Sequence, residues 1–384
     1  MNKGWLDKKH YSKAKNAHII LSGNQYFAEL EQIINSSKSE LYIQMYILDF
    51  DTTGKRIIES LKKASARGVQ VYLLLDAYGS KSISNNVITD LKNNGINFRW
   101  YSPLFKKLKL KLGRRLHNKL IVADKNVALI GGINIADKYQ DTPMGRGWLD
   151  FAAVVEGRIA AELHEYALMI WSKNIRRSRT YYKLTEEEIL VRFRENDWLR
   201  NKADITKSYI HAIKNAQESI TVIGAYFLPG RVARNLIKKA SKKGIKIKII
   251  VSGISDVRFI VAAQRYFYQW LFNNNVEIYE WSDSVVHGKV AIVDNKWLTI
   301  GSFNLNYLSV YGNIELNIDI FNNIIAENFN KHIESEIIPK CEHIVQTNYY
   351  KADNTIKMFH RWISYQIIRI SMITAVYFFR RNKK

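Results

Sequence analysis

The chain has 384 residues, 47% of them hydrophobic, with 22 Tyr and 16 Phe; it can bury a core in two domain-sized units and is too apolar for an intrinsically disordered chain. A single cysteine, Cys341, excludes an internal disulfide and a cysteine-rich metal site. The formal net charge of +23 favours a polyanionic partner, nucleic acid or an anionic membrane, and charge alone does not choose between them.

From the amino end, Met-Asn-Lys-Gly-Trp-Leu-Asp-Lys-Lys lacks the apolar core of a secretory leader, and nothing in the first 340 residues reads as a clean membrane span. The expected location is the cytoplasm or its membrane face. Glu40 to Ile47 reads as a strand. Ile57, Ile58, Leu61 and Ala64 form the apolar stripe of a helix, with Gly68 where a helix C-cap is wanted and a strand over Val69 to Leu75. Between Leu104 and Arg115, Leu108, Leu110 and Leu112 alternate with Lys109 and Lys111, as in a strand or hairpin arm with one basic face.

A signature H-x-K-x₄-D-x₆-G-x-x-N follows. Its first copy runs His117-Asn-Lys119-Leu-Ile-Val-Ala-Asp124 and, six residues on, Gly131-Gly132-Ile-Asn134. Asp150 lies in the strand-like Trp148-Leu-Asp150-Phe-Ala-Ala-Val. Arg176, Arg177 and Arg179 read as a solvated basic stretch near a boundary between Asn174 and Arg200.

The pattern then repeats. Ser219 onward matches the early strand. Lys238-Lys-Ala-Ser-Lys-Lys-Gly244-Ile-Lys-Ile247 matches Lys62-Lys-Ala-Ser-Ala-Arg-Gly68-Val-Gln-Val71, with Leu236, Ile237 and Ala240 as the apolar stripe and Ile245 to Val251 as the next strand. The second motif, His287-Gly-Lys289-Val-Ala-Ile-Val-Asp294 then Gly301-Ser302-Phe-Asn304, preserves every spacing of the first, and Glu315 lies in Asn313-Ile-Glu315-Leu-Asn317. Strands alternating with helices predict α/β layers on mixed, largely parallel sheets, with both motifs brought to one central cleft. The expected division is 1–185, 186–345 and a tail, 346–384.

In the tail, Trp362 to Phe379 is apolar apart from interruptions such as Gln366 and Arg369, and a basic cluster follows. Eighteen helical residues rise about 27 Å, marginal for a span, and Arg369 costs about 2.5–3.5 kcal/mol on insertion scales. Lying in an anionic interface, spanning it, and packing on the body all remain open, with the interface favoured.

The residue types suit phosphoryl chemistry. A neutral imidazole can attack phosphorus and an imidazolium can protonate a leaving oxygen. A lysine two residues on in a strand shares the histidine's face. Two Lys and two Asn, Lys119, Lys289, Asn134 and Asn304, can surround one phosphate without a metal or other cofactor. Asp124 and Asp294 fall at strand ends, suited to turns and structural hydrogen bonds, and stay among the candidate site residues.

These motifs resemble the phospholipase D superfamily. The flanks Arg114-Arg115-Leu-His117, Gly131-Gly-Ile-Asn-Ile-Ala-Asp137 and Gly301-Ser-Phe-Asn-Leu-Asn306 resemble those of the bacterial cardiolipin synthases. The resemblance implies two pseudo-symmetric α/β/α halves in a single chain, a pseudo-dimer expected to be a monomer, with the active site between them. It implies a phosphohistidine intermediate on one histidine, His117 by family habit, and a proton donor in the other. It also implies a carboxylate about thirty residues downstream to orient each histidine, a role Asp150 and Glu315 fit. The expected reaction makes cardiolipin from two phosphatidylglycerol molecules at an anionic membrane surface, with nucleic acid disfavoured as partner. A phospholipase D-type lipid hydrolase or a nucleic-acid phosphodiesterase are the alternatives.

Overall fold

Each copy of the repeat builds its own sheet in the computed structural model, which describes residues 11–103, 105–106, 109–110, 114–143, 145–173, 189–257, 259–351 and 354–381. The first sheet runs, edge to edge, Asn16–Ile20, Ala152–Glu156, Val127–Gly131, Leu120–Ala123, Glu40–Met45, Gln70–Asp76, Asn97–Tyr101. The second runs Ser12–Ala14, Ile189–Asp197, Asn313–Phe321, Trp297–Gly301, Lys289–Val293, Ser219–Gly224, Lys246–Ser252, Val276–Trp281, Cys341–Ile344. Ser12–Ala14 thus crosses over to pair with Ile189–Asp197. The boundary expected at 185, and Arg176, Arg177 and Arg179, lie outside the described residues.

The strand–helix alternation has the expected cause. Asp51 caps the helix Thr52–Ala66 by accepting from Gly54 N at 2.9 Å, and Ile57, Ile58, Leu61 and Ala64 are buried. Gly68, at φ +91°, ends the turn after it in a backbone conformation that favours glycine. Gly244, at φ +77°, does the same beyond Arg231–Lys242.

The sheets are mixed, as expected, but antiparallel rather than parallel pairs predominate. Parallel pairing joins Glu40–Met45, Gln70–Asp76 and Asn97–Tyr101, their counterparts Ser219–Gly224, Lys246–Ser252 and Val276–Trp281, and the short Arg115–Leu116 to Asn313–Phe321. Both motif strands run antiparallel to the strands beside them. A parallel return needs a crossover, usually a helix, and the described residues between Tyr101 and Leu120 form none. Of the basic arm there, Phe105–Lys106 pairs antiparallel with Lys109–Leu110; Leu104, Lys107, Leu108, Lys111 and Leu112 lie outside the described residues.

A central core joins the halves. Leu116, Leu120 and Phe151 from the first meet Val286, Val290 and Leu316 from the second, with the helices Arg158–Ser172 and Asn323–His332 contributing to the same cluster. Each half keeps a further core beneath its outer helices.

The tail forms one helix, Thr355–Arg381, of 27 residues, about 40 Å long. No helix among the described residues is long and apolar enough to cross a membrane. One face of this helix is seated on the body. Ser364 and Val376 are buried, Tyr365 stacks on Tyr266 at 4.9 Å, and Ile368 and Met372 pack beside Leu228, Ile260 and Phe267. The other face is apolar and open: Ile356 is 78% exposed, Phe359 60% and Ile370 57%.

Candidate active site

The two motif strands start beside one another where the halves meet. His117 donates its backbone N–H to Ile314 O at 3.0 Å, and His287 donates its own to Leu149 O at 2.8 Å. The next residue in each acceptor strand is the acid. Glu315 therefore meets His117, Oε2 to Nδ1 at 2.8 Å, and Asp150 meets His287, Oδ2 to Nδ1 at 2.6 Å. The downstream pairing expected from the resemblance is thus exchanged: each histidine is held by the acid of the other half, because the backbone bonds put the opposite strand beside it.

A carboxylate accepts only, so this network assigns the hydrogen to Nδ1 on both rings and leaves Nε2 to the chemistry. Glu315 is fully buried and also accepts from Ser302 Oγ at 2.5 Å and Asn313 Nδ2 at 3.1 Å. Gly132, at the position matching Ser302, leaves room for the other acid: a Cβ there would stand 2.3 Å from Asp150 Oδ1.

Lys119 and Lys289 are both buried, and each ammonium reaches back to the carbonyl of its own motif histidine. Lys289 Nζ also lies 2.9 Å from His287 Nδ1, and Lys119 faces the Tyr46 ring at 5.1 Å. Burial, then the charge of Lys289, lowers the Lys119 ammonium to about 7; burial lowers Lys289 to about 8. Burial also lowers both histidines, against the pull of their carboxylates, and Lys289 pushes His287 further, to about 3. Burial raises the two acids, but the cations around them outweigh it and leave both below the usual carboxylate range. Four cationic-capable groups surround two anions, an arrangement able to accept a further anion.

The halves differ in one respect that the repeat conceals. Asn134 is engaged on both sides, its Oδ1 accepting from Ile47 N at 3.1 Å and its Nδ2 donating to Tyr139 Oη at 2.7 Å. The position matching Tyr139 holds Ser309, whose Oγ takes the backbone N–H of Asn304 instead, at 3.2 Å. The Asn304 side chain is buried with its Oδ1 unpartnered. A cavity of about 430 Å³ opens on this side, lined by His117, Asn304 and Tyr46 among others. On the other side, Tyr139 and Trp148 close over His287, with ring centroids 5.5 and 5.7 Å from the imidazole. Asn134 therefore supports the wall, while Asn304 is open to a ligand.

Asp124 and Asp294 stand apart from this group, at the far ends of the motif strands. Asp124 accepts from Lys38 N, Ser39 N, Ser39 Oγ and Glu40 N at 2.7–3.0 Å. Asp294 accepts from Gln217 N, Glu218 N and Ser219 N. Both tie a motif strand to the start of its neighbour, so their inclusion with the chemical residues is corrected. Sequence reasoning missed Tyr139, Tyr46 and the tail residues that line the cavity; the mismatch of Tyr139 with Ser309 between the copies was the available signal. No group of three or more His, Cys, Asp or Glu among the described residues is arranged to hold a metal ion.

The chain is similar to known proteins in sequence and in fold. The family model described as cardiolipin synthase, PLD-like domain, matches residues 30–171 and 209–337. Cardiolipin synthase B of Salmonella typhi is 28% identical over 355 residues, covering 90% of this chain and 84% of that protein. Cardiolipin synthase of Clostridium perfringens (strain SM101) is 26% identical over 345 residues, covering 86% and 72%. Among solved structures, phosphatidylserine synthase of Haemophilus influenzae Rd KW20 superposes with a TM-score of 0.72 over 95% of this chain and 96% of that one. At 13% identity, that likeness concerns the fold alone.

Proposed function

The chain belongs to the phospholipase D superfamily, within the family described as cardiolipin synthase, PLD-like domain, and from that premise we propose how this phosphatidyltransferase of phospholipid biosynthesis works. It moves a phosphatidyl group from one phosphatidylglycerol to another, releasing glycerol and forming cardiolipin. His117 Nε2 attacks phosphorus as the P–O bond to the headgroup glycerol breaks. His287 gives a proton to the leaving oxygen. The terminal hydroxyl of a second phosphatidylglycerol then loses its proton to His287 and attacks phosphorus, and the P–N bond to His117 breaks. Lys119, Lys289 and Asn304 stabilise the charge on the phosphoryl oxygens. Glu315 and Asp150 hold the two tautomers.

The observation that carries the assignment of roles is the asymmetry of the cleft: the cavity reaches His117 and Asn304, whereas Tyr139 and Trp148 cover His287. Burial, then the charge of Lys289, holds the His287 imidazole well below its ordinary range. A bound phosphodiester offsets the charge of Lys289 and shifts the ring toward the imidazolium. The open apolar face of Thr355–Arg381, with exposed Lys357 and Arg369, suits peripheral attachment to an anionic bilayer at the cytoplasmic face of the membrane.

The test is a trap. Phosphatidylglycerol labelled in its phosphate is mixed with the protein and quenched in alkaline denaturant. The label is expected on His117 and is lost in His117→Ala. Label on His287 alone reverses the roles, and turnover without any trapped or transient label contradicts the covalent route.

A further inference from the structure

The catalytic cavity has two kinds of lining. Arg115, His117 and Asn304 supply polar groups. Opposite in character are Val257, Ile260 and Leu308, together with Ile368, Met372 and Ala375 of the C-terminal helix; Ser371 lies among them with its hydroxyl donated to Ile367 O. These four helix positions follow i, i+3, i+4, i+7, so one helical stripe faces the cavity. Packing on the body accounts for part of it, at Ile368 and Met372, which meet Leu228, Ile260 and Phe267. Among the described side chains of this helix, Ser364 and Val376 are buried; Ser371 is exposed and Ala375 half-buried, so both border open space. A phosphate at His117 asks nothing apolar of its surroundings, whereas the glycerol backbone and acyl chains of a phosphatidyl group do. The same helix turns its opposite, apolar face to the outside at Ile356, Phe359, Ile367, Ile370 and Ile373. One element thus connects the catalytic cavity to a surface fitted for lipid.

We propose that the stripe Ile368–Ser371–Met372–Ala375 is the acyl-chain wall of the donor site, along which the phosphatidyl group's chains lie while its phosphate meets His117. This inference rests on the phosphatidyl reading above and assigns specificity-determining residues to it. A donor with shortened chains forgoes the contact, so selectivity for long-chain over short-chain lipid measures the wall.

The experiment compares wild type with Ala375→Trp and Ser371→Phe, on dioleoyl and on monomeric dihexanoyl phosphatidylglycerol in the same detergent, following glycerol release. Folding is checked by circular dichroism. Filling the wall is expected to lower the ratio of kcat/KM for the long-chain to the short-chain lipid by about tenfold or more, the scale on which apolar pockets discriminate. If Ala375→Trp does not fold, Ser371→Phe, at an exposed position, gives the reading. A ratio unchanged within about threefold, or both lipids lost in proportion, overturns the wall. Failure of the phosphatidyl reading looks different: wild type then releases glycerol from neither lipid while still cleaving bis(p-nitrophenyl) phosphate.

Discussion

Replacing Glu315 with Gln changes almost no volume and removes one acceptor from a fully buried site. Three donors converge on that carboxylate: His117 Nδ1 at 2.8 Å, Ser302 Oγ at 2.5 Å and Asn313 Nδ2 at 3.1 Å. An amide offers them one oxygen and turns an NH₂ toward the rest. When that NH₂ faces His117, the ring must accept at Nδ1 and carry its hydrogen on Nε2, where no lone pair is left for phosphorus. Inverting the tautomer of a carboxylate-held histidine elsewhere lowers kcat by about four decades, about 5.4 kcal/mol. The donors left over cost stability as well, about 1–3 kcal/mol. Glu315→Gln is thus expected to remain folded at 25 °C and to turn over phosphatidylglycerol about 10³–10⁴-fold more slowly. Nitrogen-15 NMR of the histidine side chains locates the effect: Nε2 of His117 changes from the unprotonated to the protonated type, and His287 keeps its pattern. If His287 responds and His117 does not, the exchanged wiring is wrong. If kcat stays within tenfold of wild type, the tautomer argument fails.

Four further outcomes follow from the same geometry. With Lys119 and Lys289 lowered to about 7 and about 8, kcat/KM falls as pH rises through that range and the phosphate loses its counter-charges; a flat profile to pH 10 contradicts this. The folded chain holds fewer protons on these lysines than the unfolded chain up to their ordinary 10.5, so they make stability rise with pH where activity falls, which denaturant titrations can read. Asp124→Ala removes four hydrogen bonds and is expected to cost about 2–3 kcal/mol in urea unfolding, with kcat nearly retained; a large loss of kcat in folded protein returns Asp124 to the chemistry. Ile367→Glu with Ile370→Glu, on the open face of the C-terminal helix, should abolish cosedimentation with phosphatidylglycerol vesicles without altering the melting temperature, and undiminished binding removes that face from the interface.

Much of this was legible because it is local. The repeated spacing of His117, Lys119 and Asn134 with His287, Lys289 and Asn304 needs only strand periodicity to put like residues on like faces. Gly68 and Gly244 end helices because of their own backbone freedom. The pairing of His117 with Glu315 was hidden, since it depends on Ile314 and Leu149 bonding across the two halves, and no sequence period carries that. Parallel pairing was over-read for a related reason: the motif strands follow segments without a crossover helix, and those return antiparallel. In the C-terminal helix, apolar residues on both faces blur the periodicity, so Ile368 and Met372 gave no sign that they border the cavity while Ile367 and Ile370 face outward.

The central claim is transfer to a second lipid, and the stoichiometry of products tests it most directly. Purified protein is incubated with phosphatidylglycerol vesicles whose headgroup glycerol is labelled, and lipids and free glycerol are separated and counted. The account predicts one labelled glycerol released for each cardiolipin formed, with phosphatidic acid a minor product. Glycerol matched by phosphatidic acid, with no cardiolipin, would show that water takes the acceptor's place and would contradict it.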